Sequence, residues 1–201
     1  MMEMAERDDY YAPHARISLS RPVVLGGQVG CGSRLIGRSL CARTGLPFVE
    51  VDRQVEHEAG VSLAKLAAEQ GIGQVAARAR SVLEAVAIRR PWSIVVLDRA
   101  WPASEASSLF RRRLDFVHVR RPPDYLRGRM QQELSGAADW NGGVALADGV
   151  RPGTELEACW TARESLLSEA TVLLEAGDQH EHRVGEILLG ALETITHAEA
   201  R

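Results

Sequence analysis

The stretch VVLGGQVGCGSRLIG, Val23 to Gly37, narrows the fold more than any other part of the chain. A short apolar run, a glycine-rich turn and an amphipathic run follow one another without a gap. That order reads as a buried strand feeding a helix through a tight turn. The turn nearly matches the phosphate-loop pattern G-x-x-x-x-G-K-[ST]. Gly27 and Gly32 stand at its two glycines, but Ser33 takes the lysine position and Arg34 the hydroxyl position. Glycines let successive amides curl toward one anion, and the helix start adds its positive end. Neither effect needs the lysine. A plain strand-to-helix turn that happens to use glycine is the competing reading.

The rest of the chain repeats the alternation. Leu35 to Thr44 reads as a helix stopped by Gly45, with Pro47 after it. PFVEVD is a second strand candidate. Helical patterns follow over 61–70 and 75–89, then the strand WSIVVLD. A short helix over 104–113, the strand DFVHV and a proline-started helix from Pro122 through Glu133 come next. Residues 136–153 are glycine-rich and polar and read as a loop. A helix over 155–169, the strand ATVLLEA and a closing helix over 183–195 complete the pattern. Strands alternating with helices predict a three-layer α/β/α fold around a five-stranded parallel sheet. Ligands bind such sheets at the edge where strands hand over to helices, and the Gly27 loop lies there.

Composition bounds the function. The chain of 201 residues suits one domain, preceded by a polar tail over 1–20. A net charge of −3 gives no pull toward nucleic acid or an anionic membrane, and no apolar run approaches spanning length. Cys31, Cys41 and Cys159 are too few and scattered for a disulfide framework or zinc site, so a reduced cytoplasmic setting is expected. Lys65 is the only lysine, so a single distant residue could supply an ammonium to the loop.

The segment GLPFVEVDRQVEHEAGVSLAKLAAEQG, 45–71, resembles the shikimate kinase family, as do RPPDYLRGRM and ARESLLSEATVLLEA further on. The resemblance spans about residues 21–196. It implies a phosphate-loop kinase domain over 21–197 with a lid at about 134–153, and ATP and Mg2+ as cofactors. Residue by residue, it places Gly27, Gly30, Cys31, Gly32, Ser33 and Arg34 around the phosphates and Arg129 near adenine. It implies Glu50 and Asp98 for the metal, Asp52 for substrate hydroxyls and for orienting the attacking one, and Arg163 for substrate. Arg34 is the cation left to assist transfer. Three contacts depart from the family. Ser33 cannot act as the loop lysine, Arg34 cannot ligate magnesium, and Ala76 stands where an arginine would hold the shikimate carboxylate. The family's glycine triplet after strand three reads Leu97-Asp98-Arg99, and Arg151 sits at the wrong spacing for the lid arginine.

Phosphoryl transfer rests on positioning and cationic stabilisation. The expectation is therefore a degenerate member that binds a nucleotide or another phosphate-bearing small molecule, with a protein partner if it is a pseudoenzyme. The alternatives are a working kinase on shikimate or another small polyol, using Arg34 and Asp98 in altered roles, and a structural partner in an assembly. Asp98 could equally cap the next turn or pair with Arg99. The arginines at 111–113 and 120–121 lack interleaved aromatics and read as a solvated face rather than a nucleic-acid site. His118 reads as a core or edge histidine, the His-Glu-His at 180–182 lacks partners at metal spacing, and Cys31 could be redox-sensitive at a helix start.

Overall fold

The computed structural model describes residue 17 and residues 19–102, 107–136, 163–164 and 166–199. Five strands form one sheet: β1 (Val23–Gly27), β2 (Phe48–Glu50), β3 (Ile94–Val96), β4 (Asp115–Arg120) and β5 (Val172–Glu175). Their order is β2-β3-β1-β4-β5, and every pair is parallel. Val24 sits between Val95 of β3 and Phe116 of β4, which fixes the register at the centre. β1 is buried along its whole length, as a central strand covered on both faces must be.

The helices are α1 (Ser33–Thr44), α2 (Val51–Ala59), α3 (Leu63–Gln70), α4 (Ile72–Arg89), α5 (Ser107–Arg113), α6 (Pro123–Gly136) and α7 (Glu181–Glu199). One apolar layer joins Val24, Val95 and Phe116 to Val55, Leu66, Leu83 and Phe110 of the helices α2 to α5. The other joins Leu25, Val96 and Val119 to Ile36 and Leu40 of α1 and Val184 and Leu188 of α7. The three-layer expectation holds. Gly45 does end α1, in a left-handed conformation with its N–H donating to Cys41 O at 2.8 Å.

Several boundaries differ from the sequence reading. β2 stops at Glu50, and the next residue already opens α2, so Val51 and Asp52 belong to a helix rather than a strand. α2 itself is absent from the pattern reading, because only Val51 and Val55 supply buried apolar positions along it. β3 is three residues long, and Asp98 lies beyond its end. The expected lid beyond Gly136, the helix expected from Glu155, Arg151 and Cys159 lie wholly or largely outside the described residues. Among the described residues no helix is long and apolar enough to cross a membrane.

β1 neighbours both β3 and β4, with the chain leaving it in sequence for the distant β2. The crevice beside the carboxyl end of β1 is thus the expected ligand position of an open parallel sheet.

Candidate active site

The loop after β1 keeps the shape of an anion cradle. Gly30 and Gly32 have φ of 85° and 83°, conformations that side chains rarely adopt. At Gly27 the constraint is contact rather than conformation: a Cβ there would stand 2.4 Å from Val119 O on β4. Gly32 is the N-cap of α1 and offers no side chain to cap it, and the first turn of α1 carries no acidic residue. The N-cap itself thus supplies no side-chain acceptor to the helix start; the Ser33 amide bonds to the Cys31 sulfur, and the Glu181 side chain stands beside Gly32.

The side chains of the loop point elsewhere. Ser33 is buried and its hydroxyl donates to Leu97 O at 3.4 Å. Cys31 is buried in the layer under α1, and burial pushes its thiol up from the ordinary value, so it is a packed apolar residue rather than a redox-sensitive thiolate. Arg34 reaches across the cleft to an ion pair between its Nε and Glu50 Oε1.

Glu50, at the end of β2, is the centre of a charge cluster. Besides Arg34 it pairs with Arg38 Nη2 at 3.2 Å and with Arg53 Nε at 3.3 Å. Arg34 and Arg38 lie one turn apart on α1 and share a face, while Arg53 comes from the first turn of α2.

Asp52, in the first turn of α2, is buried and occupied. Oδ1 accepts from Ala100 N at 2.9 Å and Arg99 N at 3.1 Å. Oδ2 accepts from Arg99 N at 3.1 Å and Arg99 Nε at 3.0 Å. Burial works against the Arg99 charge, but the neighbouring Asp52, Asp98 and Glu56 outweigh it and raise the guanidinium above its ordinary value. Glu56 also accepts from Leu63 N at 3.0 Å, which ties α2 to α3. Asp98 faces the same cleft, and its carbonyl accepts from Trp101 Nε1 at 2.9 Å.

Together these groups line a cleft of about 590 Å³. It gathers Gly30, Gly32, Ser33, Arg34, Glu50, Asp52, Asp98 and Arg129 from segments far apart in sequence. Gly27, Cys31 and Arg163 sit in the wall instead. Arg163 is buried, donates from Nη1 to Gly27 O at 3.0 Å, and lies 4.8 Å from the Trp101 ring centroid.

Two features were not foreseen. Arg121, read as part of a solvated face, is buried. Its Nε donates to Cys31 O at 3.2 Å, its Nη1 donates to Gly177 O at 3.1 Å and to Gln179 O, and it stacks 4.2 Å from the Tyr125 ring. Its neighbour Arg120 is exposed, as expected. Glu181, the first residue of α7, packs against Gly32: a Cβ on that glycine would stand 2.6 Å from Glu181 Cγ. Glu181 accepts from Tyr125 Oη at 3.1 Å and pairs with Arg129 Nη2 at 3.3 Å. Burial alone would push its carboxyl up, but its own backbone amide, Arg129 and Tyr125 hold it below the usual range. Of the flanking histidines, His182 bridges Ser39 Oγ at 3.1 Å and Arg43 Nη2 at 2.9 Å. His118 is half-buried on β4, and burial draws its pKa down.

The residues do not fit a divalent metal. Magnesium needs several oxygen donors. Glu50 already faces three guanidiniums, and position 34 has no hydroxyl. Among the described residues no group of three His, Cys, Asp or Glu side chains could hold an ion. The loop keeps the left-handed glycines of an anion cradle, with the Glu181 side chain standing against Gly32.

A shikimate kinase family model matches residues 29–193. The shikimate kinase of Caulobacter vibrioides is 28% identical over 173 residues, covering 86% of this chain and 82% of that protein. A solved shikimate kinase from Acinetobacter baumannii, in complex with shikimate, superposes with a TM-score of 0.69 at 15% identity, over 87% of this chain and 93% of that one. One from Bacteroides thetaiotaomicron gives 0.67 at 18% identity, over 86% and 98%. These structural likenesses establish a shared fold. The family model runs from within the glycine loop to within α7 and so covers most of the chain, and this chain belongs to the shikimate kinase family.

Proposed function

We propose that this chain is a shikimate-kinase-like protein whose loop binds a nucleotide or another phosphate-bearing small molecule without transferring phosphate at a useful rate. The family uses ATP and Mg2+ on shikimate. One observation carries the reading: the loop keeps its glycine conformations while both residues at the chemistry-bearing positions turn away, Ser33 to Leu97 O and Arg34 to Glu50. Phosphoryl transfer needs cations on the transferred group and a positioned acceptor. Asp52, the residue expected to orient an acceptor hydroxyl, spends both oxygens on Arg99 and Ala100. The loss of a single stabilising contact of this kind costs ~10²- to 10³-fold in rate. The kinase alternative draws on Asp98, which faces the cleft beyond the end of β3.

The test separates binding from turnover. Incubated with ATP, magnesium and shikimate, the protein yields no phosphorylated product above background, whereas a rate of roughly 1 to 100 per second would establish the kinase reading. Calorimetry detects weak phosphate binding by the wild type and none by Gly32→Val, in which the added side chain meets Glu181 at a backbone position closed to it. Equal phosphate binding by both proteins would reduce the loop to a turn.

A further inference from the structure

Two of the positions at which the family places metal-binding groups are joined to each other here. Arg34 stands at the hydroxyl position, Glu50 stands at the acidic one, and an ion pair links them. From this we propose that Arg34 has displaced the divalent cation, and that Arg34, Arg38 and Arg53 form a metal-independent clamp for a phosphorylated ligand. The ligand half of this proposal rests on the phosphate-binding reading above; the metal half does not.

Charge balance supports the clamp. Three guanidiniums share the single carboxylate of Glu50, and across the whole cleft five arginines face the four carboxylates of Glu50, Asp52, Glu56 and Asp98, which leaves a net positive charge gathered on the Glu50 side. The Glu50 side chain is 12% exposed, while those of Arg34, Arg38 and Arg53 are 41%, 45% and 65% exposed. The carboxylate is an inner anchor, and the arginines have faces turned outward. Guanidiniums match phosphate oxygens in paired hydrogen bonds, and they need no metal to do so. The uncapped start of α1 adds positive potential on the same side, because Arg34 lies in its first turn. A divalent cation entering the cluster would meet three like charges and compete for oxygens already in ion pairs. A polyphosphate meets the opposite situation. Exposed ion pairs of this type hold their partners weakly, so the arginines can turn from Glu50 to a ligand at little cost.

Two titrations of the full chain test the proposal. In the first, Mn2+ binding is followed by electron paramagnetic resonance. Wild type binds Mn2+ weakly at best, and Arg34→Ser, which returns a hydroxyl and removes the competing cation, binds it at least about tenfold more tightly. In the second, inorganic pyrophosphate is titrated calorimetrically with a chelator and with magnesium. Binding persists in chelator, weakens about tenfold in Arg38→Gln/Arg53→Gln, and tightens several-fold in Glu50→Gln, which leaves all three guanidiniums for the ligand. Circular dichroism of each variant checks that it is folded.

Mn2+ bound by wild type as tightly as by Arg34→Ser overturns the proposal, as does pyrophosphate binding that needs magnesium. Loss of pyrophosphate binding in every condition overturns the phosphate-site reading and the clamp with it. The manganese comparison then decides by itself whether arginine has displaced the metal.

Discussion

The two ends of the cleft have diverged to different degrees. At the loop end, Gly30 and Gly32 hold left-handed conformations, Gly27 touches β4, and the N-cap of α1 makes no side-chain cap. At the acceptor end, Arg99 and Ala100 occupy Asp52, and three arginines occupy Glu50. The first end is made of main chain and the second of side chains. Main-chain shape is held by close packing, so it resists change until the fold itself gives way. A side chain at the cleft surface can be exchanged with little effect on the core. A family fold can therefore outlast the family's chemistry, and the glycines are poor witnesses to activity.

The sharpest way to break this comparison is at Gly27. Gly27→Val would drive a side chain into the Val119 carbonyl, and the expected loss is at least about 3 kcal/mol in urea denaturation. Gly73→Ala, on α4 with open space at its Cβ, should change stability by less than about 1 kcal/mol. A comparably small loss in Gly27→Val would mean that the loop is looser than its contacts imply.

The acceptor end divides in the same way on a smaller scale. Asp52→Ala strands the amides of Arg99 and Ala100 and removes the partner of the half-exposed Arg99 guanidinium, with an expected loss of about 2 kcal/mol. Glu50→Gln should cost under about 1 kcal/mol, because its arginine partners are substantially exposed. Equal losses in the two variants would place Glu50 in the structural framework beside Asp52.

The smallest effect concerns the thiols. Burial raises Cys31 and pushes Cys41 up to about 12, so both stay protonated through neutral pH. In a Cys159→Ser background, a disulfide reagent at pH 8 should label neither thiol in the folded protein and both after denaturation. The rate should stay flat from pH 7 to 9. Rapid labelling of Cys31 in the folded chain would move that residue from the packed wall to the reactive surface.

The strands and most helices were legible because each carries its own periodicity. α2 was not: PFVEVD alternates as a strand does, yet the chain turns helical at Val51, and only Val51 and Val55 mark an apolar face afterwards. The glycines of the loop announced the cleft. The groups that fill it were silent, since Arg99 meets a partner 47 residues away and Arg121 meets one 90 residues away. Arg121 reads as solvated because charged Arg120 precedes it, and only the carbonyls around it reveal a buried cation. Glu181 was weighed with His180 and His182 as a metal motif, while its contact with Gly32 comes from the packing of α7 against α1.

Arg121 has one further consequence. It stands just past β4 and draws together the carbonyls of Cys31, from the glycine loop, and of Gly177 and Gln179, from the turn before α7. Its Nε holds the loop and its Nη1 holds the turn, so one rigid guanidinium couples the two segments. The loop and the turn should thus unfold and close as one local unit, with amides that exchange with solvent on a common timescale. A ligand that settles on the loop would then quiet the turn as well, and motion in the turn would be felt at the loop.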